Sequence, residues 1–340
     1  MTRPAPLAAT SAMLLTFALV PAPTHADEGD VADNGSAAAA TATDAPGPPS
    51  NDNRYFTDRP GRGQKGGTFI EVRPFGTITT DGEFKGNDGA EVGVGRAGLA
   101  LKTEYWVERF FNLSFDASVE YSDYRFDDFA ATTGVPQPLD EALRVNLRPG
   151  ARMMLSREWL VFAGGMVEFA GEPDSDVEDS LNLGGFLGAR YKATDDLALR
   201  FGVSATQAVE EDLQAFPILG FKWDINEDMV LEATGAQGGG VIQYTYDWRE
   251  PWGVGGRVGW LARDYRLAGD AAIPEGVLRD DRLIVEAFVN YAPTKWSDVT
   301  AGVGVTAFNQ YVIENANGNE LFEDEAKPTP YVSLRGKIRF

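Results

Sequence analysis

The most constraining feature of this sequence is an alternation of apolar and polar side chains, with a period of two, that recurs from residue 66 to the last residue. Leu143, Val145 and Leu147 share one face of such a segment, whereas Arg144 and Arg148 share the other. A period of two places successive side chains on opposite faces of a β-strand. No helical pattern of similar length competes with it, so the sequence predicts an all-β fold.

The alternating segments predict about fourteen strands, with twelve as the alternative because the first and the ninth segments are the weakest. The expected strands lie at 68–79, 91–106, 111–124, 141–155, 159–171, 180–193, 197–208, 213–224, 229–235, 240–249, 254–266, 280–292, 298–313 and 328–340. Most of these segments are long enough to cross the hydrocarbon of a membrane as tilted strands.

The connections between these strands tend to alternate between short and long. Short connections include 108–110, 156–158, 194–196, 225–228 and 294–297, and long ones include 80–90, 125–140, 172–179, 267–279 and 314–327. Short periplasmic turns and longer external loops are typical of up-and-down antiparallel transmembrane barrels. The short connections at 209–212 and 236–239 do not follow this rule. The sorting of short and long connections nevertheless favours a closed barrel in the bacterial outer membrane. Lipid cannot form hydrogen bonds with the free backbone groups of an open sheet edge, so the sheet must close.

Aromatic residues recur where a barrel would need an interfacial girdle. Most of them lie beside the predicted periplasmic turns: Tyr105, Trp106, Trp159, Tyr191, Trp223, Tyr246, Trp248, Trp252, Tyr291 and Trp296. Tyrosine and tryptophan are enriched at the boundary between lipid and water, so this distribution supports the membrane assignment.

The last strand ends on an aromatic residue. In "PYVSLRGKIRF" the alternation predicts that Leu334, Ile338 and Phe340 face lipid and that Arg335 faces the lumen. This pattern resembles the carboxy-terminal signal of bacterial outer-membrane proteins. The resemblance implies that Tyr331, Leu334, Ile338 and Phe340 form a membrane-insertion signal, which the barrel-insertion machinery reads by strand addition.

Four further stretches resemble the repeated hairpins of an uncharacterised family of outer-membrane barrels, known only as a domain of unknown function. They are "LNLGGFLGARYKATDDLALRFGVSAT", "FPILGFKWDINEDMVLEATG", "YTYDWREPWGVGGRVGWLARDYRLAG" and "NYAPTKWSDVTAGVGVTAF". The resemblance covers about residues 66–340 and consists of hairpin patterns, so it implies a fold and transfers no functional residues.

The amino-terminal region is expected to lie outside the barrel. Residues 1–26 have a positive start, a short apolar run and small residues before Asp27, which is the layout of a signal peptide. Residues 27–65 are rich in Ala, Pro, Gly and Asp, which predicts a disordered periplasmic linker. Residues 66–340 then form the transmembrane barrel.

Composition excludes several functions. The chain has no cysteine, and its one histidine, His25, lies in the predicted signal peptide. Histidine-based hydrolysis and metal ligation by cysteine or histidine are therefore not expected in the mature chain. The formal net charge of −21 argues against nucleic acid as a partner. We expect no catalytic residues, no metal site and no cofactor.

The strand register sorts the charges, with a basic lumen and acidic external loops. The predicted basic residues of the lumen include Arg144, Arg148, Arg152, Arg190, Arg200, Arg257, Arg282 and Arg335. Carboxylates expected in the external loops include Asp127, Glu172, Asp280, Asp281 and Asp324. Two interpretations remain open: a pore whose basic wall favours anions, or a lumen filled by arginine–carboxylate pairs.

These patterns predict a passive channel or transporter for small, possibly anionic, solutes. The alternatives are a structural or surface-interaction barrel with a filled lumen and, less favoured, a barrel enzyme that acts on lipid. The expected partners are outer-membrane lipid, lipopolysaccharide and the insertion machinery, with small solutes as the transported species. A fourteen-strand transporter of hydrophobic compounds usually has an inserted amino-terminal hatch, for which residues 27–65 are too polar.

Overall fold

The structure is a computed structural model that describes residues 65–178, 180–208, 213–236 and 239–340. The predicted signal peptide and all but the last residue of the predicted linker lie outside the described residues. No helix in the described ranges combines the length and the apolar character needed to cross a membrane.

The described chain consists of sixteen strands and one short helix. The strands of the barrel wall are β1 (Thr68–Thr79), β3 (Glu91–Glu108), β4 (Phe111–Asp127), β5 (Glu141–Met154), β6 (Trp159–Gly171), β7 (Leu181–Lys192), β8 (Leu197–Ala208), β9 (Gln214–Asp224), β10 (Met229–Ala236), β11 (Gly239–Arg249), β12 (Trp252–Arg266), β13 (Val277–Thr294), β14 (Ser297–Glu314) and β16 (Thr329–Arg339). The elements outside the wall are β2 (Gly82–Glu83), α1 (Phe129–Thr133) and β15 (Glu320–Ala326).

Neighbouring wall strands pair antiparallel, and the first strand closes the sheet. β1 pairs with β3 on one side and with the terminal strand β16 on the other, as in the register Thr77↔Ser333. The prediction of an all-β, closed, fourteen-strand antiparallel barrel is confirmed. The two segments that were weakest in the sequence form β1 and β10.

The outer surface of the barrel is apolar. Val303, Leu334 and Leu187 are each about 60% exposed on strands whose alternate side chains are buried. Two girdle pairs, Trp159–Tyr191 and Trp252–Tyr291, stack at 4.7 and 4.5 Å between ring centroids beside the short turns. An apolar exterior of this kind on a closed barrel places the protein in the bacterial outer membrane.

One girdle residue was assigned to the wrong face. Trp106 is only 3% exposed and lies on the interior side of β3, whereas its neighbour Tyr105 is 48% exposed. Adjacent residues of a strand point to opposite faces, so only one of the two can reach the lipid interface.

The wall is taller on one side than on the other. β3, β13 and β14 have 18 residues each, whereas β10 has 8. The taller side is closed at its external end by a cluster of buried apolar residues, which we call the external cluster. Its members are Phe84, Ala90, Val92, Val94, Tyr124, Phe126, Phe129, Leu139, Ala142, Ala170, Tyr265, Leu267, Ile273, Leu278, Tyr311, Ile313, Phe322 and Ala326.

The external cluster draws on the loops as well as on the wall. Phe84 follows β2, Phe129 begins α1 and Phe322 lies in β15. The ring centroids of Phe129 and Phe322 lie 4.9 Å apart, and those of Phe84 and Phe322 lie 5.3 Å apart, both in edge-to-face geometry. Such aromatic pairs favour close packing beyond the area they bury, so the loops form a lid over this side of the lumen.

Candidate functional site in the barrel interior

The predicted arginine ladder lies on the interior face of β5, and each of its steps has its own carboxylate environment. Arg144 is 2% exposed and donates to Glu168 at 3.2 Å. Arg152 donates to Glu104 at 2.9 Å, and Arg148 lies opposite Asp116 in the β4–β5 register. The three arginines therefore share one face, where Arg144 and Arg152 are each ion-paired with a buried carboxylate.

The remaining predicted interior arginines also lie on the lumen side. Arg257 donates to Glu286 at 3.1 Å, and Arg335 ion-pairs with the same carboxylate. Arg282 donates to Asp280 at 2.5 Å.

Arg190 and Arg200 lie side by side on β7 and β8 in the strand register. The guanidinium of Arg200 lies 4.6 Å from the ring centroid of Phe162, which is an inward-facing, buried residue.

Two of the interior contacts join strands that are far apart in the wall. Arg263 on β12 donates two hydrogen bonds to Glu120 on β4, at 2.9 and 3.2 Å. Arg96 on β3 ion-pairs with Asp280 on β13. Since β4 and β12 are six strands apart by the shorter way around the wall, these side chains bridge the lumen.

The carboxylates that neutralise the lumen are more numerous than the sequence suggested. Asp280 and Asp281 were expected in an external loop, but both belong to β13, and Asp280 is fully buried. Glu168 and Asp298 are further interior carboxylates that the strand register had not assigned to the lumen. The predicted strand already contained both residues, and β13 begins three residues earlier, at Val277, so neither residue lies in a loop. Asp280 faces the lumen, whereas Asp281 has the opposite strand parity and faces outward.

The external end of β12 extends beyond the end of β11 and contacts β6. Arg266 pairs with Gly171 in a short parallel bridge, and the backbone N–H of Glu172 donates to the Arg266 carbonyl at 2.9 Å. The backbone N–H of Ala268 donates to the Glu172 carboxylate at 2.6 Å. A side chain at Gly171 would meet the Arg266 carbonyl at 2.9 Å, which explains why glycine is needed at this close approach.

Accessible interior charge collects at the periplasmic end, where it is mostly basic. Five cationic side chains there, which we call the periplasmic vestibule, are partly or fully exposed: Arg73, Lys102, Arg152, Arg200 and Lys222. Arg152 retains 27% exposure and Lys102 retains 24%, whereas their shared carboxylate Glu104 has none. In this group of three the carboxylate is more deeply buried than the two cations, so the surface that faces the water there is positive.

The terminal strand places the four residues of the predicted insertion signal on two different faces of the barrel wall. Leu334, Ile338 and Phe340 are 59%, 44% and 69% exposed on the outer face. Tyr331, by contrast, is 5% exposed and donates its hydroxyl to Glu286 at 3.0 Å inside the barrel. Tyr331 therefore lies on the lumen side, with the same strand parity as Arg335, whereas the other three face outward. The role of all four in insertion stays a prediction.

One group of exposed carboxylates forms on the external side of the described chain. Carboxylate oxygens of Asp81, Glu91 and Asp127 lie within 4.8 Å of one another. Asp81 is also paired with Arg125 at 3.1 Å, which reduces its availability to a cation.

No family model matches the chain, and no curated protein matches it in sequence. The membership in the uncharacterised barrel family therefore stays a prediction. Several solved structures are similar in fold.

A Pseudomonas aeruginosa FadL homologue is 12% identical, with 80% of this chain and 89% of that chain covered and a TM-score of 0.47. An outer-membrane channel from Pseudomonas putida F1 is 12% identical, with coverages of 82% and 96% and a TM-score of 0.42. The Ralstonia pickettii toluene transporter TbuX is 11% identical, with coverages of 84% and 93% and a TM-score of 0.43.

Proposed function

We propose that this chain is a gated outer-membrane channel or transporter for small solutes, with a preference for anions at its periplasmic entrance. The observation that carries the proposal is the periplasmic vestibule. Its cationic side chains are accessible, whereas Glu104, the carboxylate that Lys102 and Arg152 share, is more deeply buried. A positive, water-filled entrance attracts anions and repels cations over distances of about 8 Å at physiological ionic strength.

The external cluster supplies the gate in this proposal. It closes the external end of the taller side, and three of its aromatic members, Phe84, Phe129 and Phe322, come from elements outside the wall. Elements of this kind have lower local stability than the long wall strands and are common in moving parts. The proposed open state separates Phe84, Phe129 and Phe322 without breaking the wall.

Electrical recording tests the proposal directly. The purified barrel in planar bilayers should give discrete, anion-selective openings. Arg200→Gln should lower the ratio of anion to cation permeability, because it removes a water-exposed charge from the entrance. Lys295→Gln is the matched control, since this lysine lies in the turn between β13 and β14, with its Nζ 4.9 Å from the ring centroid of Trp296. A barrel that stays silent at every voltage and in every salt would contradict the proposal.

A second candidate is a structural or surface-interaction barrel with a filled lumen, and the bridging pairs Arg263–Glu120 and Arg96–Asp280 favour it. The two candidates differ when the external cluster is weakened. Phe129→Ala combined with Phe322→Ala should raise the open probability of a gated channel, whereas a structural barrel should remain silent.

A lipid-acting enzyme is the least favoured function. The part of the sequence that forms the barrel contains neither histidine nor cysteine. The interior charged groups described above pair with one another within the wall.

A further inference from the structure

A small cavity lies inside the barrel, below the external cluster. Its volume is about 60 Å³. Five arginines line it, namely Arg96, Arg144, Arg257, Arg263 and Arg282, together with the single carboxylate of Glu120. Each arginine comes from a wall strand, so the walls of the cavity are fixed by the barrel itself.

Four guanidinium nitrogens of these arginines are buried without a hydrogen-bond partner among the described residues. They are Nε of Arg96, Arg144 and Arg257, and Nη1 of Arg263. The four residues are at most 9% exposed. A buried donor without a partner costs about 1–3 kcal/mol, and more when the group is charged, so the arginines around the cavity are incompletely satisfied.

The surrounding charges do not balance. Six guanidinium groups face four carboxylates in and directly around the cavity. The guanidinium groups are those of Arg96, Arg144, Arg257, Arg263, Arg282 and Arg335, and the carboxylates are those of Glu120, Glu168, Asp280 and Glu286. The surplus of two positive charges is buried, where an unpaired charge is far more costly than in water. A water molecule can accept hydrogen bonds from these groups, but it leaves the excess positive charge in place. An anion accepts hydrogen bonds and also reduces that excess.

The rest of the lining is apolar or weakly polar. Phe75, Val241, Leu261 and Ile284 border the same cavity as the arginines. One water needs about 10–15 Å³ of such space, so the cavity holds about four to six atoms of that size. A carboxylate with a two-carbon tail has five non-hydrogen atoms, and its two oxygens match the fork of a guanidinium.

We propose that this cavity binds one small organic carboxylate, of the size of propionate. Its oxygens accept hydrogen bonds from the guanidinium groups that line the cavity, and its hydrocarbon part contacts the apolar side of the lining. The site does not depend on the proposed channel function, since a barrel that conducts nothing can still bind an anion in its interior.

Thermal unfolding of the folded full-length barrel in detergent tests the site. The probes are propionate, the uncharged isostere propionamide and inorganic phosphate, all compared at constant ionic strength. Propionate should raise the unfolding temperature in a saturable manner, because a ligand that binds only the folded state stabilises it by mass action. Propionamide should give no shift, and phosphate should give a smaller shift than propionate.

Two variants locate the effect. Leu261→Glu adds a carboxylate to the cavity, so it should raise the unfolding temperature without ligand and abolish the propionate shift. Leu261→Gln, which has the same size without the charge, should do neither. If the glutamate variant does not fold, Arg144→Gln serves instead and should weaken propionate binding at least tenfold. Arg339→Gln is its matched control, because Arg339 pairs with Glu71 at the periplasmic end.

Three outcomes would overturn the proposal. A propionate shift that is linear in concentration, or equal for propionamide, would show no specific site. A phosphate shift larger than the propionate shift would rule out the organic carboxylate. A saturable shift that survives both Leu261→Glu and Arg144→Gln would place the binding elsewhere. Loss of conductance in bilayers has no bearing on these readings, so the two proposals fail separately.

Discussion

Glu120 accepts two hydrogen bonds from Arg263, and this pair joins strands β4 and β12 on nearly opposite sides of the wall. Both side chains are almost fully buried. The pair therefore works as a cross-brace in the lumen and sets how closely the two walls approach.

Removal of one partner of this brace should destabilise the barrel strongly. Glu120→Gln leaves Arg263 and Arg96 buried with less countercharge, and the loss of one partner of a buried pair costs about 3–5 kcal/mol. Urea unfolding of the barrel in lipid vesicles measures the change. Glu108→Gln breaks the exposed Lys65–Glu108 pair and should cost much less, because water screens an exposed ion pair. Equal effects of the two variants would contradict the buried-brace interpretation.

Two valines on one strand test the depth of the barrel in lipid. Val303 is 63% exposed on the outer face of β14, and Val299, nearer the periplasmic turn, is 46% exposed. Arginine on the lipid face costs about 2–4 kcal/mol near the midplane and about 0–1 kcal/mol near the interface. Val303→Arg should therefore destabilise the barrel more than Val299→Arg in vesicles. In lipid-free detergent the difference should shrink, and a difference that stayed the same there would argue against a lipid-facing Val303.

The contact between β6 and the segment after β12 should weaken as pH rises. Burial, together with Asp270, Asp140 and Asp174, raises the pKa of the Glu172 carboxyl above its usual value. A raised folded-state pKa means that the neutral form is favoured on folding. The contact is thus most stable below the unfolded-state pKa, near 4.5, and loses stability as pH rises through the folded-state pKa.

Hydrogen exchange at the Glu172 amide reads this contact, because that N–H donates to the Arg266 carbonyl at 2.9 Å and not to the titrating group. Its protection factor should fall between pH 4 and pH 7 in the native chain and stay constant in Glu172→Gln, which keeps an acceptor oxygen without a titrating group. A protection factor that rises with pH in the native chain would reverse the sign and contradict the prediction.

The terminal strand should show separate assembly and stability roles on its two faces. Phe340 faces outward, and its backbone N–H donates to the Ile70 carbonyl at 2.8 Å, which closes the barrel seam. Phe340→Ala should lower the yield of folded barrel in the outer membrane. Tyr331→Phe should preserve that yield and cost about 1–3 kcal/mol of stability, since it removes a buried hydrogen bond to a charged acceptor.

Heat-modifiable migration of membrane fractions measures the yield, and denaturant titration measures the stability. A normal yield for Phe340→Ala would remove it from the insertion signal. A loss of folded barrel in Tyr331→Phe would show that the Tyr331 hydroxyl also contributes to insertion.

Most of the wall could be predicted from the sequence because it is a local property. Strand alternation, strand length and the sorting of turns depend on residues that are near one another along the chain. The predictions failed toward the external ends of two wall strands, β13 and β12. Asp280 looked like a loop residue, and the alternation of β12 ends near Ala262, which is 4% exposed although Trp260 on the same face is 38% exposed.

The sequence by itself determined a closed barrel of about fourteen strands, with twelve as the alternative. It also placed arginines inside and apolar residues outside, because a closed sheet in lipid allows only one arrangement of an alternating strand. Only the tertiary structure decided which carboxylate each arginine meets. Arg96 and Asp280 are 184 residues apart in the sequence, and their pairing depends on which side chains the closed wall brings together across the lumen. That arrangement is a property of the whole closed wall, so no local sequence pattern records it.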